Sequence, residues 1–174
     1  MLKNSKEKRE YMKIALIGMT GCGKSTIGKQ LAISLNYDFV DVDCFIEQLE
    51  GKSIPEIFSQ KGEKEFRVAE STALSKLINS SGNTVIACGG GIILREENCR
   101  LLKHNTFTVL LSRPTELVLA HTEILNRPPI NGDPAKYYSL LKQRQPLYTK
   151  YANLIVDSTE IENAVAEIIK NINV

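Results

Sequence analysis

Nine residues near the start of the chain constrain its fold more than any other feature. Gly18-Met-Thr-Gly-Cys-Gly-Lys-Ser-Thr26 follows the apolar run Met12-Lys-Ile-Ala-Leu-Ile17 and opens a helix-like spacing from Lys24 to Leu35. The pattern GxxxxGK[ST] between a strand and a helix is a phosphate-binding turn. Gly18, Gly21 and Gly23 let the backbone curl until successive N–H groups face phosphate oxygens, and the helix N-terminus beneath adds partial positive charge. Lys24 is expected to reach the β- and γ-phosphates, and the Ser25 hydroxyl to ligate Mg²⁺. The expected nucleotide contacts are therefore Gly21, Cys22, Gly23, Lys24, Ser25 and Thr26. Cys22 has two readings, a thiol activated by the loop amides and Lys24, or a small loop filler.

The rest of the chain alternates strand and helix patterns. Apolar runs end at Asp41, Cys88, Leu111 and Asp157. Helical spacing occupies Phe45–Leu49, Ile54–Gln60, Glu63–Ile78, Glu96–Lys103, a stretch after Pro114, Pro134–Lys150 and Ile161–Ile172. Five short apolar strands separated by helices predict a parallel sheet covered on both faces. Residues 1–11 show no apolar periodicity and read as a flexible extension, leaving 12–174 as a single domain. Asn126-Arg-Pro-Pro-Ile-Asn-Gly-Asp-Pro134 is the segment densest in helix and strand breakers, and it marks a mobile lid at about 121–134.

Charge narrows the function classes. The 174 residues carry 22 Lys and Arg against 20 Asp and Glu, and the excess of two lies wholly within residues 1–11. A formally neutral domain does not bind nucleic acid or membrane surfaces through bulk positive charge. Cys22, Cys44, Cys88 and Cys99 form no CxxC pair, so neither a zinc site nor a disulfide scaffold is expected. No apolar run is long enough for a bilayer, and residues 1–11 lack the apolar stretch of a signal peptide. The expectation is a cytoplasmic protein with free thiols.

A phosphate turn is shared by kinases, switch GTPases and motor ATPases. The guanine-reading Asn/Thr-Lys-x-Asp tetrad is missing, and the runs ending at Cys88 and Leu111 lack the terminal Asp of a motor. A small-molecule kinase is the class that remains. Ligands of open α/β sheets bind beyond the carboxyl ends of the strands, where Asp41-Val-Asp43 is expected. There one carboxylate is suited to hydrated Mg²⁺ and the other to the proton of a substrate hydroxyl, while a helix N-cap is the competing role for Asp43. Gly89-Gly90-Gly91 is either a tight turn or a backbone that a ligand approaches closely. Arg67, Arg127 and Arg144 stand out by setting, although a solvated role is the commoner fate of a single arginine.

Taken together, these segments resemble the shikimate kinase family over nearly all of residues 12–174. The resemblance rests on the phosphate turn, Asp41-Val-Asp43, Gly62-Glu-Lys-Glu-Phe-Arg67, Cys88-Gly-Gly-Gly91, Arg127-Pro128 and Arg144-Gln-Pro-Leu-Tyr148. It implies a three-layer α/β/α P-loop kinase fold with a five-stranded parallel sheet in order 2-3-1-4-5, working as a monomer. It also implies ATP-dependent phosphorylation of the shikimate 3-hydroxyl. Asp43 would be the base, with Lys24 and Arg127 the further catalytic groups. Arg67 and Arg144 would clamp the substrate carboxylate beside Gly89, Gly90 and Gly91. Arg127 would also meet ATP as the lid closes, and Ser25 and Asp41 would serve Mg²⁺. The chain departs from the family at Leu119-Ala-His-Thr-Glu-Ile-Leu-Asn126, usually basic and supplying an arginine to adenine, and at Pro129, where leucine is common. His121 is either a stacking partner for the base or a solvated residue. The rival readings are another small-molecule kinase, of gluconate or nucleoside monophosphate type, and a non-catalytic nucleotide-gated binding protein.

Overall fold

A computed structural model describes residues 12–121, 130 and 132–172. Residues 1–11, Arg127 and most of the expected lid lie outside the described residues. The strands are β1 (Lys13–Ile17), β2 (Asp38–Asp41), β3 (Thr84–Ala87), β4 (Phe107–Ser112) and β5 (Leu154–Asp157). All neighbours pair in parallel, and the order is β2-β3-β1-β4-β5, as the resemblance implied. The described helices are α1 (Lys24–Leu35), α2 (Val42–Glu50), α3 (Ile54–Asn79), α4 (Glu96–Asn105), α5 (Thr115–Leu119), α6 (Pro134–Tyr151) and α7 (Ile161–Ile172).

The alternation along β1 divides the interior into two cores. Ile14 and Leu16 face the side covered by α1 and α7, packing with Ile27, Leu31, Val156 and Ile168. Ala15 and Ile17 face the other side, where Ile46, Leu74, Leu102 and Tyr148 come from α2, α3, α4 and α6. Every residue of β1 is buried. Lys13 is included because its ammonium donates to Ser80 Oγ at 3.0 Å, the Gly82 carbonyl at 2.8 Å and Thr84 Oγ1 at 2.9 Å. Burial pulls the Lys13 pKa down, with Asp38 acting the other way.

Local chemistry sets the helix ends nearest the strand tips. Asp41 ends β2 and caps α2, accepting from the amides of Asp43 and Cys44. The helix therefore begins at Val42, earlier than the spacing from Phe45 predicts. Asp43 lies in the first helical turn and not on the strand. Ser53 opens α3, its amide and hydroxyl both donating to the Glu56 carboxylate. The two helical stretches expected on either side of Gly62 run on as one helix, kinked at Gly62, where φ is 78° and ψ 173°. Asp133 accepts from the Ala135 amide and caps α6, with Pro134 in its first turn. No helix among the described residues is long and apolar enough to cross a membrane.

The face between α1 and β2 closes without room for a side chain at Gly28. A Cβ there would sit 2.6 Å from the Phe39 ring and 3.2 Å from Leu16. Overpacking costs about 1–3 kcal/mol, against about 1 kcal/mol gained in helix propensity over glycine. Gly28→Ala is expected to lower the urea midpoint and Gly28→Val to lower it further. A higher midpoint for Gly28→Ala would show that the Phe39 ring yields freely.

Candidate active site

The phosphate turn leaves β1 through three glycines with positive φ: Gly18 at 139°, Gly21 at 86° and Gly23 at 92°. At Gly18 the need is also spatial, since a Cβ would lie 2.6 Å from the Leu111 carbonyl and 2.9 Å from Cys22 Sγ. Cys22 is 2% exposed with its sulfur packed against that turn, so of its two readings the filler fits the geometry. Gly23 caps α1 and its carbonyl accepts the Ile27 amide at 2.9 Å. The Lys24 ammonium crosses the mouth of the turn, donating to the carbonyls of Gly18 at 2.9 Å and Met19 at 2.8 Å. From α6, Tyr137 donates its hydroxyl to the Thr20 carbonyl at 3.2 Å.

Asp41 brings the strand end to this turn. Its Oδ2 accepts from the Ser25 hydroxyl at 2.5 Å, while Oδ1 accepts from the Asp43 amide at 3.0 Å. The two residues expected to serve a metal are thus in contact, and the capping role weighed for Asp43 belongs to Asp41. Asp43 itself projects toward Gly89, where a Cβ would come within 3.0 Å of its Oδ1.

The three glycines after β3 all have ordinary φ, so space and not backbone freedom is what they supply. A Cβ on Gly91 would overlap the Arg67 guanidinium, and one on Gly89 would meet Glu70 Oε1 at 2.8 Å. Arg67, 15% exposed at its side chain, donates to Glu70 at 3.0 Å and Glu63 at 3.1 Å. Glu70 is fully buried, and burial pushes its carboxyl up in pKa while Arg67 pulls the other way. Arg67 Nε and Glu70 Oε1 are buried without a hydrogen-bond partner among the described residues. On the opposite side Arg144, 7% exposed, donates to the Gly90 carbonyl at 3.2 Å. The Tyr148 hydroxyl donates to the same carbonyl and contacts Met19 Sδ.

One cavity of about 940 Å³ is lined by Lys24, Ser25, Asp41, Asp43, Gly89 and Gly90 among others. Arg67 and Arg144 stand at its glycine wall. His121 is exposed just beyond α5. Sequence reasoning missed Glu70, Tyr137 and Tyr148. Glu70 had a usable signal, lying three residues after Arg67 on one helix face. The tyrosines had none, since their partners are more than 50 residues away in sequence.

The chain matches the family model "Shikimate kinase" over residues 20–173. It is 40% identical to a shikimate kinase of Clostridium beijerinckii over 157 residues, covering 90% of this chain and 92% of that one. The shikimate kinase of Acinetobacter baumannii, solved in complex with shikimate, superposes with a TM-score of 0.86 at 35% identity, covering 94% and 93% of the two chains. The shikimate kinase of Aquifex aeolicus gives 0.83 at 35% identity, covering 93% and 96%.

The two tasks of Asp41 separate by substitution. Asp41→Ala loses the helix cap and should cost about 1 kcal/mol in urea unfolding. Asp41→Asn keeps an acceptor for the α2 amides and should unfold close to the parent. Equal losses in both variants would show that charge, and not capping, stabilises this end of α2.

Proposed function

Because the chain belongs to the shikimate kinase family and is an ATP:shikimate 3-phosphotransferase, we propose that the residues around the 940 Å³ cavity divide that reaction among them. The single observation that carries the residue assignment is the shared cavity. It joins a phosphate turn, a carboxylate in the first turn of α2 and a glycine wall backed by the half-buried Arg67 and the buried Arg144. The gluconate-kinase or nucleoside-monophosphate-kinase alternative is not favoured.

Gly21, Cys22, Gly23, Lys24, Ser25 and Thr26 hold the ATP phosphates, through backbone amides, the Lys24 ammonium and the helix dipole. Ser25 and Asp41 are hard oxygen donors in mutual contact beside the turn, a donor set that fits Mg²⁺ with water and phosphate oxygens completing its shell. Bound there, the ion would neutralise phosphate charge. Arg67 and Arg144 take the shikimate carboxylate with the backbone of Gly89, Gly90 and Gly91, which orients the 3-hydroxyl toward Asp43. Asp43 accepts the proton of that hydroxyl as its oxygen attacks the γ-phosphorus in line, and ADP departs along the turn. Lys24 stabilises the charge on the passing phosphoryl group. Arg127, within a lid at about 121–134, adds a second cation and excludes water. Residues 12–174 act as one monomeric kinase domain in the cytoplasm, with 1–11 an appendage to it.

Shikimate-dependent ADP release, assayed with and without Mg²⁺, tests this reading. Asp43→Asn should lower kcat by about 10²–10⁴-fold and leave ADP affinity unchanged; full turnover would remove Asp43 from the mechanism. Arg67→Ala should raise the KM for shikimate by about ten-fold or more, the weight of a charge-assisted hydrogen bond. An unaltered KM would argue against the carboxylate clamp.

A further inference from the structure

Arg113 follows the last residue of β4, on the side of β1 opposite to Asp41, Asp43 and Gly89. It lines the 940 Å³ cavity together with Gly21, Lys24 and Ser25. It also lines a neighbouring cavity of about 540 Å³ between β4, β5 and α6, bounded by Leu110, Tyr137 and Ile155. The guanidinium therefore stands at the boundary between the phosphate turn and the β4–β5 side of the sheet.

Its Nε is buried, and among the described residues it has no hydrogen-bond partner and no ion pair. Asp157, the acid on the smaller cavity, accepts instead from its own neighbour's amide at Thr159. A buried donor left without an acceptor costs free energy, and a guanidinium presents five donors in a fork suited to paired oxygens. The larger cavity is closed on the β2–β3 side by carboxylates and glycines. A triphosphate seated on the turn at the end of β1 would therefore present oxygens to Arg113 on its other flank. The Lys24 ammonium is a single point charge on the turn itself, donating to the carbonyls of Gly18 and Met19, and Arg113 adds a second cation on the β4 flank.

From this geometry we propose that Arg113 is a nucleotide-binding residue, which takes phosphate oxygens of ATP from the β4 side of the phosphate turn. The assignment rests on the nucleotide site proposed above. It gives the chain a cation at this flank on the strand end itself, upstream of residues 119–126, which contain no lysine or arginine.

The test compares wild type, Arg113→Met and Arg113→Lys by titration with ADP and with inorganic tripolyphosphate, both in Mg²⁺, alongside the KM for ATP and for shikimate. Arg113→Met is expected to weaken ADP and tripolyphosphate alike by about ten-fold or more and to raise the KM for ATP. Shikimate affinity of the free protein should stay within about two-fold of the parent, since Arg113 lies across β1 from the glycine wall. Arg113→Lys, which keeps charge but loses the fork, should fall between the two. Should Arg113→Met melt too early to titrate, the same comparison on Arg113→Lys decides. Unchanged affinity for both probes overturns the proposal. Weaker ADP with unchanged tripolyphosphate also overturns it and assigns Arg113 to the nucleoside instead. Wild type that binds both probes yet releases no ADP with shikimate would sink the acceptor assignment and leave Arg113 standing.

Discussion

Charged groups from three helices meet a stretch of backbone that has no side chains to resist them. Asp43 from α2, Arg67 and Glu70 from α3, and Arg144 from α6 all press on Gly89-Gly90-Gly91. A buried ion pair such as Arg67–Glu70 loses much of its Coulomb energy to desolvation, so its value lies mainly in holding geometry. Here the geometry held is a guanidinium close against Gly91. The packing around the three glycines follows from that contact. A methyl group at Gly91 would displace the arginine, and one at Gly89 would crowd both carboxylates.

The sheet positions the turn against this cluster. With β1 central and buried throughout, the phosphate turn emerges at the middle of the carboxyl edge. Acids and glycines reach it from β2 and β3, and Arg113 approaches from β4. Two tyrosines of α6 then tie the halves together, Tyr137 to the Thr20 carbonyl and Tyr148 to that of Gly90. The α6 helix starts where the expected lid ends, so its tilt is felt at the phosphate turn and the glycine wall alike.

Most of this was legible in the residue order. The strands and helices announce themselves by apolar spacing, because each strand is a short run with an apolar centre set between polar helical stretches. The phosphate turn was unambiguous, and the structure gives its three glycines positive φ, with Gly18 also required by space. Asp41 and Asp43 were expected together at a strand end, with the next helix starting only near Phe45. The competing capping chemistry of Asp41 ends the strand and starts the helix one residue later. The triple glycine was read as a tight turn or as a backbone that a ligand approaches; the close approach seen in the structure is by side chains, which sequence does not name. The neighbours are side chains from residues 43, 67, 70 and 144, brought there by the crossovers. Glu70 escaped notice because a glutamate in a helix is ordinarily solvated; its spacing from Arg67 pointed to an ion pair, but not to the burial that α3 imposes on it.

The two oxygens of Asp41 have different employers. One holds the amides at the start of α2, and the other receives the Ser25 hydroxyl. Ser25 can thus exchange its partner while the acceptor for α2 stays in place. The carboxylate is a single hinge pin between two parts of the molecule, setting the start of the helix that carries Asp43 at a fixed place beside the phosphate turn.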